Sequence, residues 1–273
     1  IRCMVCTGDD PHGCPKPLRC SVNPAAGRNP LFDVITRSES PKKVVVVGGG
    51  AAGLEAARRL NERGHKVILF EKEPILGGTL IAAGSNRLKG DVRRYCEWSV
   101  RTAERIPGID IRKNTAATRA LVMKEKPDAV VVAVGSEPFI PKIPGIKSAH
   151  VCLATDVDMG RAKPGKHVVL IGAGLTGTET AVVLTRDGHE VTLIDMLTLQ
   201  EIDGRGGAAR GVVNFLRGMS HAAGVKVVTG LKAKEIKNDA VVAEDKDGRT
   251  VTLPCDSVVL SMGVRPRESI VKE

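Results

Sequence analysis

Aromatic side chains are nearly absent: the 273-residue chain holds one Trp, one Tyr and four Phe. Proteins that grip single-stranded nucleic acid need aromatic stacking platforms, so this scarcity argues against that function. There is also no run of five or more basic residues, although the net charge is +10. Without aromatic interleaving, that charge reads as a soluble basic surface, or as attraction for anionic small molecules or an acidic partner. No apolar stretch approaches the roughly 18 residues needed to cross a bilayer, and no signal-peptide pattern is found. These absences predict a cytoplasmic protein with neither membrane nor nucleic acid as partner. In that compartment the seven cysteines read as metal ligands or thiols rather than disulfides.

The apolar content is 42%, mostly Val, Ala, Leu and Ile, which suits parallel sheets covered by helices. The length allows one large or two ordinary domains. Residues 44–72 carry the clearest pattern. Four valines form a short buried strand. Gly48, Gly50 and Gly53 follow with the spacing G-x-G-x-x-G. Leu54, Ala57 and Leu60 mark one face of a helix that Gly64 ends. Val67 to Phe70 is a second strand, with Glu71 at its tip. This order is what dinucleotide binding demands. Gly48 allows the tight turn, Gly50 lets a pyrophosphate approach the backbone, and Gly53 lets helix and strand pack closely. The amides at the helix start, including those of Ala51 and Ala52, then face the phosphates. Glu71, followed by Lys72, would accept hydrogen bonds from the adenosine ribose. Gly77-Gly78-Thr79 offers a second close backbone approach, either to a long cofactor or as an ordinary turn.

The pattern then repeats. Residues 168–196 align with the first stretch without a gap at an offset of 124, so that Gly48 falls on Gly172 and Glu71 on Asp195. Gly172, Gly174, Thr176 and Gly177 form the second loop. Two copies imply two dinucleotide-binding domains. A carboxylate at Asp195 suits the ribose hydroxyls of NAD and would repel the extra phosphate of NADP, and no arginine stands just after it; NADH is favoured over NADPH. His65 and His189 recur before the second strand of each copy and read as surface residues.

Between the copies, residues 88–105 read as an amphipathic helix in which Cys96 and Trp98 serve packing. Ile109–Ile111 reads as a strand, and Asp128–Val134 as another buried strand closed by Gly135. Pro138, Pro141 and Pro144 stiffen a linker. After the second copy, residues 212–223 read as a helix and Val225–Val228 as a strand. Three short segments within 234–253, turning at Asp247-Gly248, read as a small antiparallel sheet. Ser257–Leu260 is a buried strand leading to Gly263.

Residues 1–40 differ from the rest, with Cys3, Cys6, Cys14 and Cys20, five prolines and little periodicity. Such a segment cannot bury a core of its own. The spacing C-x2-C-x7-C-x5-C lacks the second C-x2-C of a common zinc ribbon. Four thiolates suit an iron–sulfur cluster or zinc, and free thiols are the third reading.

With these residues in view, 41–273 resembles the two-dinucleotide-fold flavoproteins, in which an NAD(P) domain is inserted into an FAD domain. Glu71 and Gly77-Gly78 then resemble the FAD half, Asp195 the NAD half, and Gly135 and Gly263 the strand-end glycines at the two crossings. Cys20-Ser21-Val22-Asn23-Pro24, ahead of the FAD half, resembles the 2,4-dienoyl-CoA reductase, enoate reductase and trimethylamine dehydrogenase family. That resemblance implies an α/β fold of two Rossmann-like domains preceded by a cysteine-rich iron–sulfur segment. The divisions would be 1–40 (cluster segment and linker), 41–148 (FAD, first part), 149–255 (NAD(P)) and 256–273 (return to the FAD domain). It further implies hydride transfer from NADH to FAD. Electrons would then pass through a 4Fe–4S cluster to an FMN on an N-terminal barrel, which reduces an activated C=C bond of a small-molecule substrate.

The family's cysteine pattern differs from the one here. The resemblance therefore implies a first cluster ligand before residue 1, followed by Cys3, Cys6 and Cys20, with Cys14 extra; the other reading takes Cys3, Cys6, Cys14 and Cys20 as the complete set. No barrel, initiator Met or final Gly-Asp motif is present, so a fragment is expected. No side-chain acid, base or nucleophile is expected, and self-association is left open. The competing functions are a stand-alone pyridine-nucleotide flavin reductase, like a ferredoxin reductase or the small subunit of glutamate synthase, and a non-catalytic nucleotide-binding module with a structural zinc.

Overall fold

The computed structural model describes residues 3, 5–7, 18–28, 35–205 and 210–268. Its first unit is a four-stranded parallel sheet. The strands are β1 (Lys43–Val47), β2 (Lys66–Phe70), β3 (Ile109–Arg112) and β4 (Ala129–Val132), in the order β3-β2-β1-β4. Its helices are α1 (Ala51–Glu62), α2 (Thr79–Ser85), α3 (Gly90–Glu104) and α4 (Arg119–Lys124). Strand alternation sends Val46, Val67 and Leu69 to the face packed by Leu54 and Ala57 of α1 and Ala103 of α3. Val45, Val47, Ile68 and Phe70 face the other way, onto Val122 of α4. A valine run buried on both faces is the consequence.

A short antiparallel pair, β5 (Ser136–Pro138) with β14 (Val264–Pro266), forms the joint between units. The second unit is a five-stranded parallel sheet of β6 (Val151–Leu153), β7 (His167–Ile171), β8 (Glu190–Asp195), β9 (Lys226–Thr229) and β13 (Ser257–Leu260), ordered β6-β13-β7-β8-β9. Its helices are α5 (Ala154–Asp158), α6 (Leu175–Arg186), α7 (Leu199–Arg205) and α8 (Arg210–Ala222). One face packs Leu170, Leu193 and Val259 against Ala181, Val182 and Leu184 of α6. The opposite face packs Val169, Ile171, Ile194 and Val258 against a three-stranded antiparallel sheet. That sheet is β10 (Lys232–Ile236), β11 (Ala240–Glu244) and β12 (Thr250–Pro254), as the sequence predicts. The turn at Asp247-Gly248 follows from Gly248 at φ +80°.

One reading needs correction. The strand at 128–134 is shorter, and it is not buried: Val130 and Val132 are 43% and 44% exposed. It is the edge strand of its sheet, and its outer face has no antiparallel sheet to cover it among the described residues. Trp98 packs at the surface. It stacks on Tyr95 with ring centroids 5.7 Å apart while 46% exposed. Cys96, by contrast, is buried beneath the Gly77-Gly78 turn. The short helices α2, α4, α5 and α7 carried too few periodic positions to be read from sequence.

Candidate dinucleotide sites

Each glycine loop joins the tip of a central strand to a helix. Gly48 has φ +104° and Gly172 has φ +110°, a region that favours glycine. A Cβ on Gly48 would lie 2.4 Å from the Ala133 carbonyl oxygen, and one on Gly172 would lie 2.2 Å from that of Ser261. A Cβ on Gly53 would fall 1.8 Å from the Gly48 oxygen, and one on Gly177 2.0 Å from the Gly172 oxygen. These four glycines are packing requirements. The middle glycines are different. Added Cβ atoms at Gly50 and Gly174 would meet nothing closer than 3.8 Å, so the space above both loops is open. Gly50 and Gly174 are the N-caps, and neither helix has a side-chain cap. The first intrahelical bonds run from Leu54 to Gly50 and from Thr178 to Gly174. The amides at Ala51, Ala52 and Gly53, and at Leu175, Thr176 and Gly177, therefore lack intrahelical acceptors. Open backbone, unused amides and the helix dipole suit a pyrophosphate, so both loops fit the dinucleotides expected of them.

The acidic residues behave alike. Glu71 is 7% exposed and accepts the Gly49 amide at 2.7 Å and the Glu73 amide at 2.9 Å. Asp195 accepts the Ala173 amide at 2.8 Å and the Leu197 amide at 2.9 Å. Each carboxylate thus ties its own glycine loop to the tip of the next strand, a duty the sequence did not reveal. A carboxylate oxygen can accept more than one hydrogen bond, so capacity for a ribose remains.

Gly78 (φ +53°) starts α2 beside the first loop, and a Cβ there would lie 3.0 Å from the Gly50 Cα. The Gly77 amide donates to the Gly49 carbonyl at 2.8 Å. Thr79 and Lys72 are exposed at this rim, with Lys72 3.5 Å from Glu73. Gly135 (φ +67°) and Gly263 (φ +88°) stand beside the β5–β14 joint, in open space. The histidines keep to the turns. His65 accepts the Lys42 amide at 3.0 Å, and His189 Nδ1 lies 2.6 Å from the Gly165 carbonyl oxygen.

Cys3, Cys6 and Cys20 lie within the described residues; Cys14 lies outside them. Among the described residues no three Cys, His, Asp or Glu side chains gather as a metal site. Cys3 Sγ lies 3.1 Å from Ser21 Oγ. Burial raises the Cys3 thiol, but hydrogen bonds from Ser21 and backbone amides outweigh it and hold it below its ordinary value. The later cysteines behave oppositely. Burial raises Cys96 and Cys255 and pushes Cys152 up to about 11. They are separate neutral thiols, without the thiolate character of a disulfide-exchanging pair. No described helix is long and apolar enough to cross a membrane.

Two parallel sheets, each with a glycine loop fastened by a carboxylate, define a flavoprotein class with two dinucleotide folds. The pyridine nucleotide-disulphide oxidoreductase family matches residues 42–273. The chain is 37% identical over 270 residues to bilirubin reductase of Mediterraneibacter gnavus, covering 97% of this chain and 40% of that protein. It is 40% identical over 179 residues to cinnamate reductase of Clostridium sporogenes, covering 66% and 26%. Its structure matches 2-naphthoyl-CoA reductase with a TM-score of 0.80 at 30% identity, covering 93% of this chain and 38% of that one. The chain belongs to the pyridine nucleotide-disulphide oxidoreductase family. It spans less than half the length of these relatives.

Proposed function

We propose that this chain is the NADH- and FAD-binding portion of an iron–sulfur flavoprotein that reduces an activated C=C bond. The observation that carries the assignment is the matched pair of carboxylate-fastened loops. Glu71 and the loop at Gly48–Gly53, flanked by Gly78, would hold FAD. Asp195 and the loop at Gly172–Gly177 would hold NADH. When bound, the two nucleotides supply hydride transfer from NADH to FAD, and a 4Fe–4S cluster supplies one-electron transfer onward to an FMN on a barrel domain. The chain's own residues bind and orient. Loop amides fix the pyrophosphates, and Glu71 and Asp195 fix both the loops and the riboses. The segment 1–40 would supply Cys3, Cys6 and Cys20 to the cluster, with Cys14 as the other candidate ligand. The domain divisions follow the sequence reading, at 41–148, 149–255 and 256–273. The names of the relatives, reductases of bilirubin, cinnamate and 2-naphthoyl-CoA, support a conjugated, unsaturated small molecule as substrate.

Visible absorbance of the anaerobically purified protein tests this reading. A flavin band with a broad iron–sulfur shoulder, both bleached by NADH, is expected. A colourless protein holding one zinc overturns it. A flavin band without iron favours the stand-alone flavin reductase.

A further inference from the structure

The two glycine loops share their fold but not the partner of their central peptide. In the first loop the Gly49 amide donates to Glu71, and its carbonyl accepts the Gly77 amide at 2.8 Å. In the second loop the Ala173 amide donates to Asp195 in the same way, but among the described residues no backbone amide takes the place of Gly77 at its carbonyl. The Ala173 carbonyl instead accepts Arg217 Nη2 at 3.0 Å. Arg217 comes from α8, more than forty residues along the chain. Its Nη1 donates to Thr178 Oγ1 at 2.9 Å. Thr178 is fully buried and donates in turn to the Gly174 carbonyl at 2.9 Å. Leu54 occupies the matching position of the first copy, so this polar contact has no counterpart there. Asp203 of α7 holds the guanidinium from its far side at 2.6 Å. The Arg217 side chain is 18% exposed, and its forked donors suit three acceptors at fixed angles.

We infer that Arg217 is a positioning residue for the second loop. It clamps the Ala173 peptide from the carbonyl side while Asp195 clamps it from the amide side, and so presets the amides that receive the pyrophosphate. Asp203 and Thr178 complete the clamp. The inference rests on the reading that this loop holds NADH. A lysine cannot replace the fork, because one ammonium on a flexible stem does not fix three acceptors in a plane.

The test is equilibrium binding of NADH and of ADP-ribose to the full chain, alongside FAD content and thermal midpoint. Arg217→Met is expected to weaken both ligands about tenfold, with FAD content unchanged. Arg217→Lys, which keeps the charge, is expected to fall about threefold short of wild type, and Asp203→Asn to act in the same direction. Because ADP-ribose carries the pyrophosphate without nicotinamide, its parallel loss locates the defect at the loop. Wild-type affinity in folded Arg217→Met, or in Arg217→Lys should the first variant not fold, overturns the inference. A lower thermal midpoint with unchanged affinity also overturns it, by showing a purely structural role. Wild-type protein that binds neither ligand overturns the NADH reading itself and this inference with it.

Discussion

The Lys89 ammonium and the Glu179 carboxylate meet at 2.5 Å across the junction of the two units, both mostly buried. Around them, Leu88 of the first unit packs into the apolar core of the second. The buried Asn86 side chain donates to Asp158 Oδ1 at 3.0 Å, and its own oxygen accepts the Leu88 amide. Thr180 reaches the same Asp158 carboxylate at 3.2 Å. This turn pins one dinucleotide unit to the other.

Breaking that pin has a definite cost. Lys89→Met leaves Glu179 without its cation in a mostly buried site, and about 1–2 kcal/mol of stability should be lost after allowing for partial exposure. Urea denaturation checks this. A double variant with Glu179→Gln should recover part of the loss, which additive costs would contradict.

Asp158 gives the junction a pH dependence. Burial raises its pKa above the ordinary 3.8, and hydrogen bonds from Asn86 and Thr180 only partly offset that. A raised carboxyl pKa means that the folded state takes up the proton first. Its contribution to stability is complete below the unfolded value and is lost as pH rises through the folded value. Asp158→Asn should therefore flatten the profile of thermal midpoint against pH just above 3.8. An unchanged slope in that range would sink the assignment.

The loop glycines divide into two mutational classes. Gly53→Ala and Gly177→Ala drive a methyl into backbone oxygen, costing on the order of 1–3 kcal/mol or more with the loss of the adjoining dinucleotide. Gly174→Ala puts its methyl into open space at φ −66°. Its thermal midpoint should hold while NADH affinity falls about tenfold. Calorimetry and NADH titration separate the classes, and equal thermal shifts in all three variants would refute the division.

Asp195 holds two backbone amides and, on the proposed reading, would also hold the NADH ribose. Asp195→Ser should narrow the preference for NADH over NADPH by about tenfold or more, since the carboxylate no longer repels the extra phosphate. It should also weaken NADH itself, because the Ala173 and Leu197 amides lose their acceptor. Initial-rate kinetics with both nucleotides give the answer: stronger NADH binding in the variant would contradict the tie.

The sequence carried the parts of this fold that are periodic or glycine-coded. Both loops, their strands and the small antiparallel sheet were legible because Gly48, Gly172 and Gly248 need backbone angles that favour glycine, and because the valine runs alternate faces. Arg217 was not legible. It follows Ala173 by more than forty residues, belongs to no motif, and meets its partners only once α6 and α8 pack side by side. The exposure of Val130 and Val132 was hidden for the opposite reason. Their pattern is that of a buried strand, and what differs is that no described neighbour covers their outer face.

That bare edge has a consequence for handling the chain. Among the described residues no strand pairs with the outer edge of β4, and Val130 and Val132 stand exposed beside it, the kind of surface on which strands of separate molecules zip together. A lysine in place of Val132, which is 44% exposed, should lessen self-association in concentrated solution at little expense to the core, and light scattering of the two proteins checks it.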